Sequence, residues 1–141
     1  MEGEKKKAPV REGLWTSDEK PRLLGSQCND CGEVFFPKRE DFLCSYCQSS
    51  NFKEIKLSHR GKIYSYTVVM QRPPIYYKAA EVPYAIGFVE LPEGIRVETL
   101  FTGCNLEDLK VGMEVEMLID KLHTEEDGTE VYCYKFKPAM N

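Results

Sequence analysis

From Leu57 onward the chain reads as strands. "GKIYSYTVVMQ" sets Ile63, Tyr66 and Val68 against their neighbours in imperfect alternation, in a stretch rich in β-branched and aromatic residues. Such a stretch predicts a strand. "PYAIGFVEL" and "IRVETLFTG" read the same way, with "PEG" between them as a turn signal. "NLEDLKVGM" breaks the pattern. Asn105 can cap, Glu107 and Asp108 fall in the first turn and Gly112 closes the segment, which predicts a helix of one to two turns. "EVEMLIDKLHT" then alternates cleanly, with Val115, Met117 and Ile119 on one face. "EEDGTE" supplies an Asp-Gly turn, and "VYCYKFKPA" returns as the last strand. Three strands, a short helix and two strands is the element order of an OB-fold, a five-stranded Greek-key barrel.

The expected class is all-β. Residues 1–26 form a mixed-charge lead, 27–53 a cysteine segment and 54–141 the OB-fold domain. "KKK" is a solvated run, and Leu14, Trp15, Leu23 and Leu24 are too sparse for a core of their own but enough to dock on one. Thr16 or Ser17 is placed to cap a short helix in this lead, which Pro21 keeps short.

Composition narrows the class. The chain has 141 residues, enough for one ordinary domain or two small ones. No apolar stretch approaches the ~20 residues that span a bilayer, and the charged N-terminus is followed by no apolar signal region, so a cytoplasmic chain is the default. The net charge of -4 weighs against a general nucleic-acid binder. A local basic stretch stands out all the same. No acidic residue occurs between Glu54 and Glu81, while Lys56, His59, Arg60, Lys62, Arg72 and Lys78 do. These are either solvated strand-edge cations or a surface for the phosphates of a ligand.

The sharpest signal is "CNDCGEVFFPKREDFLCSYC". Cys28 and Cys31 form one Cys-x-x-C pair, Cys44 and Cys47 a second, with twelve residues between the pairs. Two intervening residues let one tight turn present two thiolates to one ion, and a hairpin brings two such turns together. A closed four-thiolate shell is structural rather than catalytic, because no position stays open for water. Iron uses similar paired cysteines, so spacing alone leaves zinc and iron both in play. A ribbon this short cannot bury a useful core, and metal binding of about 10–16 kcal/mol can replace one. Gly32 suits the left-handed position after the first pair; Gln48 holds the matching place in the second, which predicts a strained or differently shaped turn.

No other constellation suggests catalysis. Cys104 and Cys133 read as small buried hydrophobes, and His59 and His123 as surface residues without a nucleophile at suggestive spacing. "QRPPIYYKAAEVPY" is a long connection between strands, stiffened by Pro73, Pro74 and Pro83, and long loops in compact domains are often functional. The ribbon has little interior in which to hide Phe35 and Phe36, so these, with Trp15, are the candidate partner contacts.

The stretches "CNDCGEVFFP", "CSYC", "GKIYSYTVV", "VPYAIGFVELPEGIRV", "GCNLEDLKVGMEVE" and "YKFKPA" together resemble the acyl-CoA-associated OB-fold proteins with an N-terminal zinc ribbon, over residues 14 to 138. The lead departs from that family, being shorter than the helical hairpin many members carry. The resemblance implies a rubredoxin-like ribbon with one structural Zn²⁺ on Cys28, Cys31, Cys44 and Cys47. It implies a hetero-oligomer with a thiolase-like catalytic subunit that carries the nucleophilic cysteine. The reaction would be CoA-dependent cleavage of a 3-oxoacyl-CoA, of the kind met in anaerobic toluene degradation. Arg60, Lys62, Arg72, Lys78, Tyr76 and Tyr77 would be the residues toward CoA. Two rival readings remain, a free-standing acyl-CoA-binding module and a single-stranded nucleic-acid binder using stacked aromatics.

Overall fold

The computed structural model describes residues 6–17, 19–39, 41–71 and 82–139. Its strands are β1 (Lys7–Pro9), β2 (Leu24–Cys28), β3 (Val34–Phe35), β4 (Phe52–Lys56), β5 (Arg60–Val69), β6 (Tyr84–Glu90), β7 (Arg96–Phe101), β8 (Glu114–Thr124) and β9 (Glu130–Pro138). A single 3-10 turn at Leu106–Asp108 stands where the short helix was expected, and Asn105 precedes it without a side-chain cap bond.

Strands β5 to β9 close a barrel. β5 pairs antiparallel with β6 and with β8, β6 with β7, and β8 with β9, while a parallel contact at Phe101 and Phe136 joins β7 to β9. This is the OB-fold order expected from the sequence. Inward positions follow the period of two: Ala85 and Val89 on β6, Val97, Thr99 and Phe101 on β7 are all buried. Ile63, Leu91, Leu109, Val115 and Phe136 complete the interior.

The imperfect alternation of β5 has a physical cause. The register shifts between Ile63 and Ser65, so Tyr64 is an extra residue on the bulged strand. Ile63 and Tyr66 can therefore both face the core although three residues apart, and the Tyr66 hydroxyl donates to the Leu109 carbonyl at 2.8 Å. Tyr64 is left outside, with the Arg96 guanidinium 3.7 Å from its ring centroid.

The ribbon is a three-stranded sheet in the order β3-β2-β4. Its strand β4 runs through residue 54, where the sequence placed the start of the barrel domain. Leu23 and Leu57, just outside β2 and β4, are fully buried in the barrel core and bonded to each other through Leu57 N–H and the Leu23 carbonyl at 2.8 Å.

The helix expected in the lead does not form among the described residues. β1 instead adds parallel to β9, and Trp15 bridges to Leu23 in a narrow antiparallel arm. The Thr16 hydroxyl, expected to cap a helix, accepts the Arg22 N–H at 3.0 Å across that arm. Arg22 in turn donates to the Leu57 and Lys56 carbonyls at 2.7 and 2.9 Å. With the cap residue consumed by a turn closed on itself, no helical amide is satisfied there.

Candidate metal centre

The two Cys-x-x-C turns are built alike. In the first, Cys28 N–H donates to the Glu33 carbonyl, Gly32 N–H to the Cys28 carbonyl, and Cys31 N–H to the Cys28 sulfur. In the second, Cys44 N–H donates to the Ser49 carbonyl, Gln48 N–H to the Cys44 carbonyl, and Tyr46 N–H to the Cys44 sulfur. Gly32 sits at φ 82° and Gln48 at φ 63°. Of the two alternatives the sequence predicted for the second turn, strained or differently shaped, the backbone shows the first. Gln48 accepts the left-handed backbone that glycine takes in the first turn, at a cost of roughly 1–2 kcal/mol.

The hairpin of β2 and β3 and the start of β4 bring the turns together. Cys28 and Cys47 sulfurs lie 3.5 Å apart, as do those of Cys31 and Cys44, and all four fall within 4.8 Å of one another. A tetrahedron with Zn–S bonds of ~2.3 Å has edges of about 3.8 Å, so the quartet fits a zinc ion. Cys28 and Cys44 are buried, Cys31 and Cys47 exposed.

The sulfurs also perturb one another. The Cys31 N–H, followed by other donors, lowers the Cys28 thiol to about 7. Cys31 has a backbone N–H from Glu33 pulling it down, yet desolvation and the Cys44, Cys47 and Cys28 sulfurs push it up to about 12. Four thiols this close do not all ionise without a cation among them. Zinc supplies that charge when bound and releases the thiol protons.

An aromatic cluster adjoins the centre through Phe52, the cross-strand partner of Cys28. Phe42 and Phe52 are stacked at 4.2 Å, and Phe35 meets both edge-on at 5.5 and 6.0 Å. Phe36 points its contact the other way, edge-on to Tyr134 of β9 at 5.8 Å. Both phenylalanines proposed as partner contacts are therefore half-buried with partners inside the chain. Trp15, also half-buried, packs against the core and lines a groove of about 310 Å³ with Lys7, Pro9, Ile119 and Tyr132. Among the described residues, the ribbon's exposed large hydrophobics are Leu43 at 61% and Tyr46 at 73%, which sequence reasoning passed over. The signal for them was available: they precede Cys44 and Cys47, where the first turn has the polar Gln27 and Asp30.

The basic stretch is divided. Arg60 and Lys62 line a groove of about 490 Å³ on the barrel, together with Gly61, Glu90, Leu91 and Glu114. Lys62 lies opposite Glu90 on one side and Glu114 on the other, and Arg60 opposite Glu116. A stretch free of acids along the chain is not free of them across the sheet. Arg72, Tyr76, Tyr77 and Lys78 lie outside the described residues. Cys104 and Cys133 are half-buried, and burial pushes both thiols up. His59 is exposed, and His123 faces Glu125 at 3.0 Å. No described helix is long and apolar enough to cross a membrane.

Comparison with known proteins covers both parts. Residues 15–53 match the family described as "ChsH2, rubredoxin-like zinc ribbon domain". Residues 54–120 match "ChsH2, C-terminal OB-fold domain". A DUF35 domain-containing scaffold protein of Methanocaldococcus jannaschii is 42% identical over 121 residues, covering 84% of this chain and 83% of that one. The benzoylsuccinyl-CoA thiolase subunit BbsA of Thauera aromatica is 31% identical over 117 residues, covering 83% and 75%. Among solved structures, a chain of the "Ltp2-ChsH2(DUF35) aldolase" superposes with a TM-score of 0.65 at 28% identity, covering 84% of this chain and 86% of that one.

Proposed function

The chain belongs to the DUF35 family of zinc-ribbon and OB-fold proteins, and from that premise we propose that it is an accessory scaffold subunit of a thiolase-like acyl-CoA complex. The observation that carries this reading is the match through both ribbon and barrel to chains that are themselves named scaffold and thiolase subunit. Cys28, Cys31, Cys44 and Cys47 hold one structural zinc, and its work is to fix the ribbon. The nucleophilic cysteine and the acid–base groups of thiolase chemistry belong to the partner. The reaction served is CoA-dependent cleavage of a 3-oxoacyl-CoA, or the reverse condensation. Benzoylsuccinyl-CoA is named for the Thauera relative; the higher identity to the archaeal scaffold favours the scaffold role over that one substrate. Paired thiolates suit a reducing cytoplasm, where this complex would work.

The test is a tagged pull-down from the native host at moderate salt, read by mass spectrometry. A stoichiometric thiolase-like chain, whose activity falls when this subunit is removed, is the expected result. Recovery of the chain alone, or with nucleic acid, would overturn the reading.

A second reading has one observation of its own, the groove that Arg60 and Lys62 line. On it, this chain contributes to holding the CoA phosphates, with Arg72, Lys78, Tyr76 and Tyr77 as the further candidates. Titrating CoA into the isolated chain tests it. Heat at sub-millimolar ligand, lost in Arg60→Glu, supports a direct CoA contact; no heat at millimolar ligand leaves the scaffold role alone.

A further inference from the structure

The two cysteine turns of the ribbon act as controls for each other. They share the same backbone bonds and the same left-handed residue after the second cysteine. Binding the metal therefore places the same demands on both. Yet the residues before each ligand differ: Gln27 and Asp30 in the first turn, Leu43 and Tyr46 in the second. The first pair folds a working turn with polar side chains, so nothing in the metal site requires apolar ones. Leu43 and Tyr46 nonetheless project from a metal-binding turn of the ribbon, 61% and 73% exposed. The nearby aromatic stack of Phe35, Phe42 and Phe52 does not cover them.

Their surroundings are acidic. Asp41 is exposed two residues before Leu43, and Glu33 is half-exposed on the first turn. Asp30 is tied to the second turn, accepting the Ser49 hydroxyl. Of the cations nearest in sequence, Lys38 is paired with Glu54 at 2.7 Å, and Arg39, over the Phe42 ring, is a single positive charge against Asp30, Glu33 and Asp41. A rim of this sign repels the phosphates of CoA or nucleic acid and attracts a basic protein surface.

We propose that Leu43 and Tyr46 are the anchors by which the ribbon docks onto the thiolase-like subunit, in an apolar recess of that subunit rimmed by Lys and Arg. This rests on the scaffold reading above and adds to it where the contact is made. A knuckle held by metal loses little entropy on binding, and tyrosine is among the residues enriched at interface hot spots.

The test uses Leu43→Gln/Tyr46→Asp, which gives the second turn the residues of the first and so preserves a sequence that folds. Zinc content and melting temperature check that it does. The catalytic chain recovered with the wild-type protein is purified and titrated against both. The expected result is unchanged zinc and a Kd raised by at least about 30-fold. Wild-type affinity that falls with salt, and falls less in Glu33→Gln/Asp41→Asn, would support the acidic rim. Equal Kd for wild type and the Leu43/Tyr46 variant would overturn the docking site while leaving the scaffold role intact. A wild-type chain that recovers no thiolase-like partner would overturn both. A wild-type dimer that becomes monomeric in the variant would reassign the patch to contact between copies of this chain.

Discussion

Tyr134 joins parts of the molecule that are far apart in sequence. Its hydroxyl donates to the Glu98 carbonyl on β7 at 2.8 Å, and its ring meets Phe36 of the ribbon edge-on. Burial, reinforced by Cys133 and Glu98, pushes the phenol well above its ordinary 10.0. The unfolded chain releases the proton near pH 10, whereas the folded chain keeps it. The stabilisation linked to this proton is therefore complete below pH 10 and is lost as pH rises toward the folded value. Denaturant midpoints measured from pH 9 to 11 should fall for the wild type and fall less for Tyr134→Phe. The variant should start about 1 kcal/mol lower at neutral pH, because the Glu98 carbonyl loses its donor. Parallel slopes would assign the alkaline loss to other groups.

At the scale of elements, β6 passes the bulged strand β5 at Gly87 with no room for a side chain. A Cβ there would collide with the Ser65 carbonyl and lie 2.6 Å from the Tyr66 Cα. Gly87→Ala should cost about 3 kcal/mol, read as a shift in the urea midpoint; a loss under about 1 kcal/mol would mean the strands can part without disturbing the bulge. The strand order and the cysteine quartet were legible in the sequence, since both rest on local signals of alternation, turn residues and ligand spacing. What was not legible depends on distant partners. Tyr64 reads as a flaw in alternation until the register with β6 reveals a bulge. Thr16 reads as a helix cap until Arg22 appears across the arm to take its hydroxyl. Gln48 reads as a misfit until the paired turn shows the same left-handed backbone. Lys62 reads as part of an acid-free surface until the strand partners place Glu90 and Glu114 on either side.

For the molecule as a whole, ribbon and barrel are separate in their sheets but not in their cores. Leu23 and Leu57 sit fully buried in the barrel, one residue before β2 and one after β4, the two long strands of the ribbon. Phe36 adds a side-chain contact from the ribbon onto β9. The ribbon's own interior is an aromatic stack and a metal centre, too little to hold it without the ion. Removing the metal should therefore act in two stages of different depth. Hydrogen exchange with and without a strong chelator should show protection lost outright across 24–56. Barrel amides in the core cluster that Leu23 and Leu57 join, at Ile63 and Leu91, should lose part of theirs, while those around the β8–β9 turn, residues 121–132, which that cluster does not include, keep it. Full protection of the barrel after chelation would mean the two leucines stay seated when the ribbon opens, making the ribbon an appendage. Partial loss would mean that zinc, by holding the ribbon closed, also seats part of the barrel core and so couples the state of the metal to the whole molecule.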